Sequence, residues 1–309
     1  MRQSILSLGI TVLAVMLWAS CSAQAKRQHV SSGKLEEYKP FASKYVAPRN
    51  VAVWLPDGYE RGMKCDVVYM HDGQMLFDST TTWNKQEWQV DEVMSRLISA
   101  GEIRPAIVVA IDNTVDRLQD YFPQGCREYM PVEARDQWGT EAELHADAYL
   151  RFIVEELKPF VDSTYRPLTD REHTVIMGSS MGGLISLYAL CEYPQVFGKA
   201  GCMSTHLSLA LPMSPMQSVA DRLRWPIAFN QYVDKHLPAA NSALIYMDRG
   251  TVELDGSYAP FQEQMNRLIR SKGWDAKHYM SKVFEGHLHR ETFWAARLDT
   301  PLRFLLGTD

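Results

Sequence analysis

No cysteine pair in this 309-residue chain has the close spacing of a zinc site, and no H-E-x-x-H occurs. The single His-x-His, His287-Leu288-His289, has no third ligand at helical spacing. A bound metal is therefore not expected, and nothing in the pattern calls for a cofactor. There is no basic stripe and no aromatic-interleaved Lys/Arg tract, which argues against nucleic acid. Internal repeats, low-complexity segments and linkers are missing as well, so one domain is expected after the N-terminal segment. The apolar run from Ile5 to Trp18 falls short of the roughly 20 residues that span a bilayer.

What is present is a globular composition, 46% hydrophobic and 22% charged, able to bury a large core. Residues 1–25 read as an export signal: Arg2 supplies the positive start, Ile5–Trp18 the apolar stretch, and Ala23-Gln24-Ala25 a small-x-small cleavage site. Leu17-Trp18-Ala19-Ser20-Cys21 offers an alternative, lipid attachment at Cys21. Either route takes the protein to the periplasm or the exterior. Cleavage after Ala25 would leave 31 basic and 37 acidic residues, net −6, an ordinary value for a soluble protein. Cys65, Cys126, Cys191 and Cys202 would remain. Export permits a disulfide, but free thiols are the simpler reading.

From residue 51 the chain alternates short apolar strands with helical stretches. Strands are predicted at 51–55, 66–70, 106–111, 199–203, 243–247 and near 278–283. Helices are predicted at 142–160, 261–270 and 291–306, and 204–237 is read as irregular, a cap or cleft wall. Such alternation predicts a mainly parallel sheet covered on both faces. One strand–helix junction carries chemistry. The β-branched run Thr174-Val175-Ile176-Met177 leads into Gly178-Ser179-Ser180-Met181-Gly182, and a helical pattern follows through Leu184, Leu187, Tyr188 and Cys191. Strand, G-x-S-x-G, helix is the nucleophile elbow of an α/β-hydrolase fold, and it nominates Ser180.

A serine nucleophile needs a base, an orienting acid and an oxyanion site. In this fold acid and base follow the serine, so the base is His287 or His289 and the acid comes from the loop after the 243–247 strand. That loop holds Asp248, Glu253 and Asp255. Asp248 lies too close to the strand to reach round, leaving Glu253 or Asp255. The oxyanion donors are read as the backbone N–H of Met181, next to the serine, and that of Gln74 in Tyr69-Met70-His71-Asp72-Gly73-Gln74.

Together with these motifs, the stretches Tyr69–Asp78 (YMHDGQMLFD), Trp83–Glu92, Ile111–Pro123, Tyr149–Arg166, Gly250–Tyr258 and Gly286–Trp294 resemble the esterase D-like α/β-hydrolases. That family includes feruloyl and acetyl-xylan esterases, S-formylglutathione hydrolases and enterochelin-type siderophore esterases. The resemblance spans nearly all of residues 48–306. Its Gly-x-x-acid pattern falls on Gly250 and Glu253, and its Gly-x-x-His pattern on Gly286 and His289, so it implies a triad of Ser180, His289 and Glu253. It also places Trp83, Trp88, Arg117 and Tyr121 near the cleft as candidate substrate contacts. The implied activity is hydrolysis of a carboxylic ester through an acyl-enzyme, on feruloyl or acetyl esters of carbohydrate or on siderophore-type esters. An acyltransferase using the same triad and a non-catalytic ligand-binding protein are the alternatives.

Overall fold

Two six-residue runs with no exposed position fix the centre of the molecule. In the computed structural model, which describes residues 28–132, 144–209 and 219–308, strands β3 (Asp66–His71) and β4 (Ala106–Ile111) are buried at every residue. A strand covered on both faces has no reason to alternate polar with apolar residues, and these do not. They pair in parallel, Asp66 opposite Ala106 through to His71 opposite Ile111.

Around them lie β1 (Lys34–Phe41), β2 (Arg49–Leu55), β5 (Thr174–Ser179), β6 (Lys199–Met203), β7 (Leu244–Gly250) and β8 (Tyr279–Phe284). The order across the sheet is β1-β2-β4-β3-β5-β6-β7-β8. Strand β2 runs antiparallel to β1 and β4, and every later pairing is parallel. Neighbouring residues of a strand serve opposite faces. Val67 and Tyr69 pack into one apolar core, while Val68 and Met70 pack into the other. This is the α/β-hydrolase architecture, with the elbow on the central strand β5.

Seven of the eight strands, the elbow strand β5 included, lie where the hydrophobic pattern puts them. The antiparallel edge β1 and the helix Val90–Ser99 are additions. Two helical expectations need correction. The stretch 204–237, read as irregular, contains the helix Val219–His236. Trp225, Ala228, Phe229, Tyr232 and Val233 recur on one face of it and are buried. Pro226 lies inside this helix, and its carbonyl accepts a hydrogen bond from Asn230 Nδ2 at 2.8 Å. The final helix is broken into Glu291–Ala295 and Asp299–Leu306, with Arg297 turned inward at the break, 1% exposed.

The segment 1–25, with Cys21, lies outside the described residues. Among the described residues no helix is long and apolar enough to cross a membrane. Cys65, Cys126, Cys191 and Cys202 are buried free thiols.

Candidate active site

The geometry of Ser180 follows from its neighbours. It lies between the end of β5 and the helix Met181–Glu192 with φ 57° and ψ −120°, a conformation that costs a non-glycine residue energy. A Cβ on Gly178 would stand 2.8 Å from the backbone of Gly182, so the turn closes only with a glycine there. The surroundings hold the strain in place. The Ser180 amide donates to the Met203 carbonyl at 2.9 Å, and the Ser180 carbonyl accepts from the amides of Leu184 and His206 at 3.1 Å each. The serine is thus pinned at the mouth of a helix N-terminus, where negative charge is favoured.

His289 sits after β8, at the same sheet end as the elbow. Its Nδ1 is 2.6 Å from Asp255 Oδ1. The carboxylate brought to the histidine is therefore Asp255 and not the expected Glu253. Glu253 opens the short helix Glu253–Ser257 and faces outward, its Oε2 3.5 Å from Arg290 Nη2. Asp255 turns inward and is 0% exposed. Its Oδ2 accepts from the Gly250 amide and from Ser204 Oγ, both at 2.7 Å. Burial pushes this carboxyl up, but His289, the Ser204 hydroxyl and the Gly250 amide outweigh it and hold Asp255 below the ordinary carboxylate value. Gly250 is required by contact: a Cβ there would lie 2.1 Å from the His287 carbonyl oxygen. That carbonyl accepts the amides of Thr251 and Val252 at 3.2 Å, clamping the acid loop to the histidine loop.

His287 has a different task. Its Nδ1 accepts from Arg297 Nη1 at 3.2 Å, and burial followed by the Arg297 charge lowers its pKa. Asp248, set aside as too near its strand, is fully buried and paired with Arg297 at 3.1 Å.

Tyr258 was not expected at the site. Its hydroxyl lies near Ser180. The same oxygen is 2.6 Å from His206 Nδ1, and its ring stands edge-on to His289 with centroids 5.5 Å apart. One side chain therefore lies beside the serine and packs against the histidine. Burial, and then the nearby Asp255 charge, raise the Tyr258 phenol, so it stays protonated. Nothing in the local sequence flags it, because an isolated tyrosine at the start of a helix is usually a packing residue.

The HDGQ loop crosses the ends of β3 and β4. Asp72 has φ 57° and is held by Arg117 through two bonds, Nε to Oδ1 at 2.7 Å and Nη2 to Oδ2 at 2.8 Å, with Asn113 Nδ2 also donating. Burial raises the Asp72 carboxyl, but the Arg117 charge and these bonds bring it below its ordinary value. Gln74 is fixed by its side chain, whose Oε1 accepts from the Asn113 amide at 3.1 Å. A backbone held this way is what an oxyanion donor requires.

Of the four candidate substrate contacts, only Trp83 is openly available, 83% exposed. The loop beside it is tied to the helix after His289 by Asn84 Nδ2 to Glu291 Oε2 at 2.8 Å. Trp88 and Tyr121 are 2% and 0% exposed, and the expectation that they face substrate is corrected. Trp88 packs on Trp294, and Tyr121 packs between His71 and Tyr149. Arg117 is likewise committed, its guanidinium being spent on Asp72.

A parallel sheet with an elbow on its central strand, and a His–carboxylate pair on later loops at the same end, defines an α/β-hydrolase. The family model described as "Putative esterase" matches residues 43–305. The chain belongs to that esterase family, whose activity is hydrolysis of carboxylic esters. It is 24% identical over 292 residues to the uncharacterized protein YjcH of Bacillus subtilis, covering 89% of this chain and 98% of that one. It is 33% identical over 150 residues to a siderophore enterobactin esterase of Emericella nidulans, 47% of each chain. A solved ferulic acid esterase superposes with a TM-score of 0.64 at 22% identity, over 88% of this chain and 98% of that one.

Proposed function

We propose that the protein is an exported serine esterase working through an acyl-enzyme, with Ser180 as nucleophile, His289 as base and Asp255 as the orienting acid. The observation that carries this is the His289–Asp255 bond at 2.6 Å at the sheet end that holds the strained elbow serine. His289 takes the Ser180 proton on Nε2 as Oγ attacks the ester carbonyl. Asp255 holds the Nδ1 proton and stabilises the imidazolium without taking that proton. The tetrahedral oxyanion rests on the Met181 and Gln74 amides. Collapse expels the alcohol, which receives its proton from His289, and water then repeats the cycle to release the acid.

The proposed substrates are aryl-acyl or acetyl esters of carbohydrate, or siderophore-type esters. The related enterobactin esterase and the similarly folded ferulic acid esterase support this range, and the exposed Trp83 indole offers a flat apolar face for an aromatic or sugar ring. The test is hydrolysis of p-nitrophenyl acetate by residues 26–309 beside Ser180→Ala. A loss on the order of a million-fold is expected for a nucleophile of this kind. Equal rates in both proteins would remove Ser180 from the mechanism. Product diverted to a new ester by added alcohol would instead mark an acyltransferase.

A further inference from the structure

Behind Asp255 lies a buried polar group that the triad does not by itself require. Ser204 follows β6, Asp248 belongs to β7, Trp294 lies in the helix Glu291–Ala295, and Arg297 stands just past it. Ser204, Asp248 and Arg297 are at most 1% exposed. Arg297 binds Asp248 with two prongs, Nε to Oδ2 and Nη2 to Oδ1, both at 3.1 Å. Its Nη2 also donates to Ser204 Oγ at 2.7 Å, and the Trp294 indole N–H donates to the same oxygen at 3.0 Å. The Ser204 amide donates to Asp248 Oδ1 at 2.9 Å.

Proton accounting fixes the direction of the remaining bond. A serine hydroxyl has one hydrogen and two lone pairs. Both lone pairs of Ser204 face N–H donors that cannot act as acceptors. Its one hydrogen must therefore point to Asp255 Oδ2, 2.7 Å away. The hydroxyl cannot rotate to serve another partner without leaving a buried donor or acceptor unpaired. Ser204 also holds an unusual backbone, with φ 41°.

We propose that Ser204, locked by Arg297, Asp248 and Trp294, is a positioning residue that occupies Asp255 Oδ2 and so presents Oδ1 to His289. The inference rests on the triad reading above. The charges suit a reaction cycle. Arg297 with Asp248 and Asp255 sums to −1, and a proton on His289 brings the cluster to zero. Arg297 Nη2 lies 3.6 Å from Asp255 Oδ2 and is held against Asp248, which keeps it off the carboxylate oxygen that faces the histidine.

The test is Ser204→Ala and Ser204→Gly, the second chosen because glycine accepts a positive φ freely. Thermal unfolding verifies that each is folded. Two quantities are then read: kcat and KM for p-nitrophenyl acetate, and the far-downfield proton NMR signal of the His289 Nδ1–H···Asp255 bond, assigned by its loss in His289→Gln. A small misplacement at a reacting group costs up to about a hundredfold. The expected result is a kcat lower by roughly 10- to 100-fold, KM changed less than about threefold, and a downfield signal that is shifted or broadened. A folded variant with wild-type kcat, or one with an unchanged signal, overturns the proposal. The signal is read on the resting protein, so it judges Ser204 even if Ser180→Ala keeps its activity and the triad reading fails.

Discussion

Asp72 and Arg117, 45 residues apart, are joined by two parallel hydrogen bonds of 2.7 and 2.8 Å. A planar guanidinium meets a planar carboxylate edge to edge, and the carboxylate belongs to the loop that carries the Gln74 amide. In the proposed mechanism the pair orients the backbone of that loop, and with it the Gln74 amide, rather than contributing a charge to substrate. Lysine keeps the charge but cannot make two parallel bonds. Arg117→Lys is expected to lower kcat for p-nitrophenyl acetate by about tenfold and Arg117→Met by about a hundredfold, with KM changing less. An equal loss of binding with kcat intact would assign Arg117 to substrate instead.

The two carboxylates at the acid position separate by mutation. Asp255→Asn removes the acceptor that fixes the His289 tautomer, and kcat is expected to fall by about 10⁴-fold, as in other triads. Glu253 is exposed and its carboxylate pairs with Arg290 at the surface, so Glu253→Gln is expected to stay within about twofold of wild type. A large loss in Glu253→Gln with Asp255→Asn active would reverse the assignment.

Asp112, just past β4, gives a pH-dependent stability prediction. Burial raises its carboxyl from 3.8 to about 6, with Glu37 and Asp72 adding to the rise and Asn50 and Lys39 opposing it. A carboxyl whose folded value lies above its unfolded one binds more protons when folded. Its cost to stability is absent below about pH 4, grows as pH rises to about 6, and stays above that. Asp112→Asn is therefore expected to match wild type near pH 4 and to be more stable by up to about 3 kcal/mol at pH 7.5. Urea unfolding at the two pH values checks this. An equal difference at both would show that Asp112 ionisation is not the cause.

Trp83 separates substrate binding from chemistry. Trp83 is 83% exposed, so Trp83→Ala removes little packing, and stability and p-nitrophenyl acetate hydrolysis are expected to be unchanged. If the indole stacks on an aryl or sugar ring, KM for methyl ferulate or a feruloylated oligosaccharide is expected to rise about 5- to 10-fold, the equivalent of about 1 kcal/mol of stacking. Unchanged KM for both would leave the residue outside the binding surface.

The sequence by itself determined the features that depend on residues close together in the chain. A β-branched run, G-x-S-x-G and a helical pattern amount to a strand, a tight turn and a helix, and the structure places Ser180 at φ 57° between them. Fully apolar strands imply a sheet covered on both faces, and β3 and β4 are covered so. The helix Val219–His236 was also legible, in the spacing of Trp225, Ala228, Phe229, Tyr232 and Val233, but the proline within it masked the pattern.

Only the tertiary structure decided which carboxylate meets the histidine. Residues two apart on a helical turn point in roughly opposite directions, about 200° around the axis. A spacing motif can locate the loop, but which side of that short helix faces inward depends on Gly250, Ser204 and the His287 carbonyl. The same holds for the aromatic and cationic candidates. Trp88, Tyr121 and Arg117 have the chemistry of a binding site, and their burial or pairing is set by Trp294, Tyr149 and Asp72, which are distant in sequence. Asp248, Ser204 and Arg297 lie 44 to 93 residues apart in their pairings, so no local pattern links them, and only the folded sheet brings them behind Asp255.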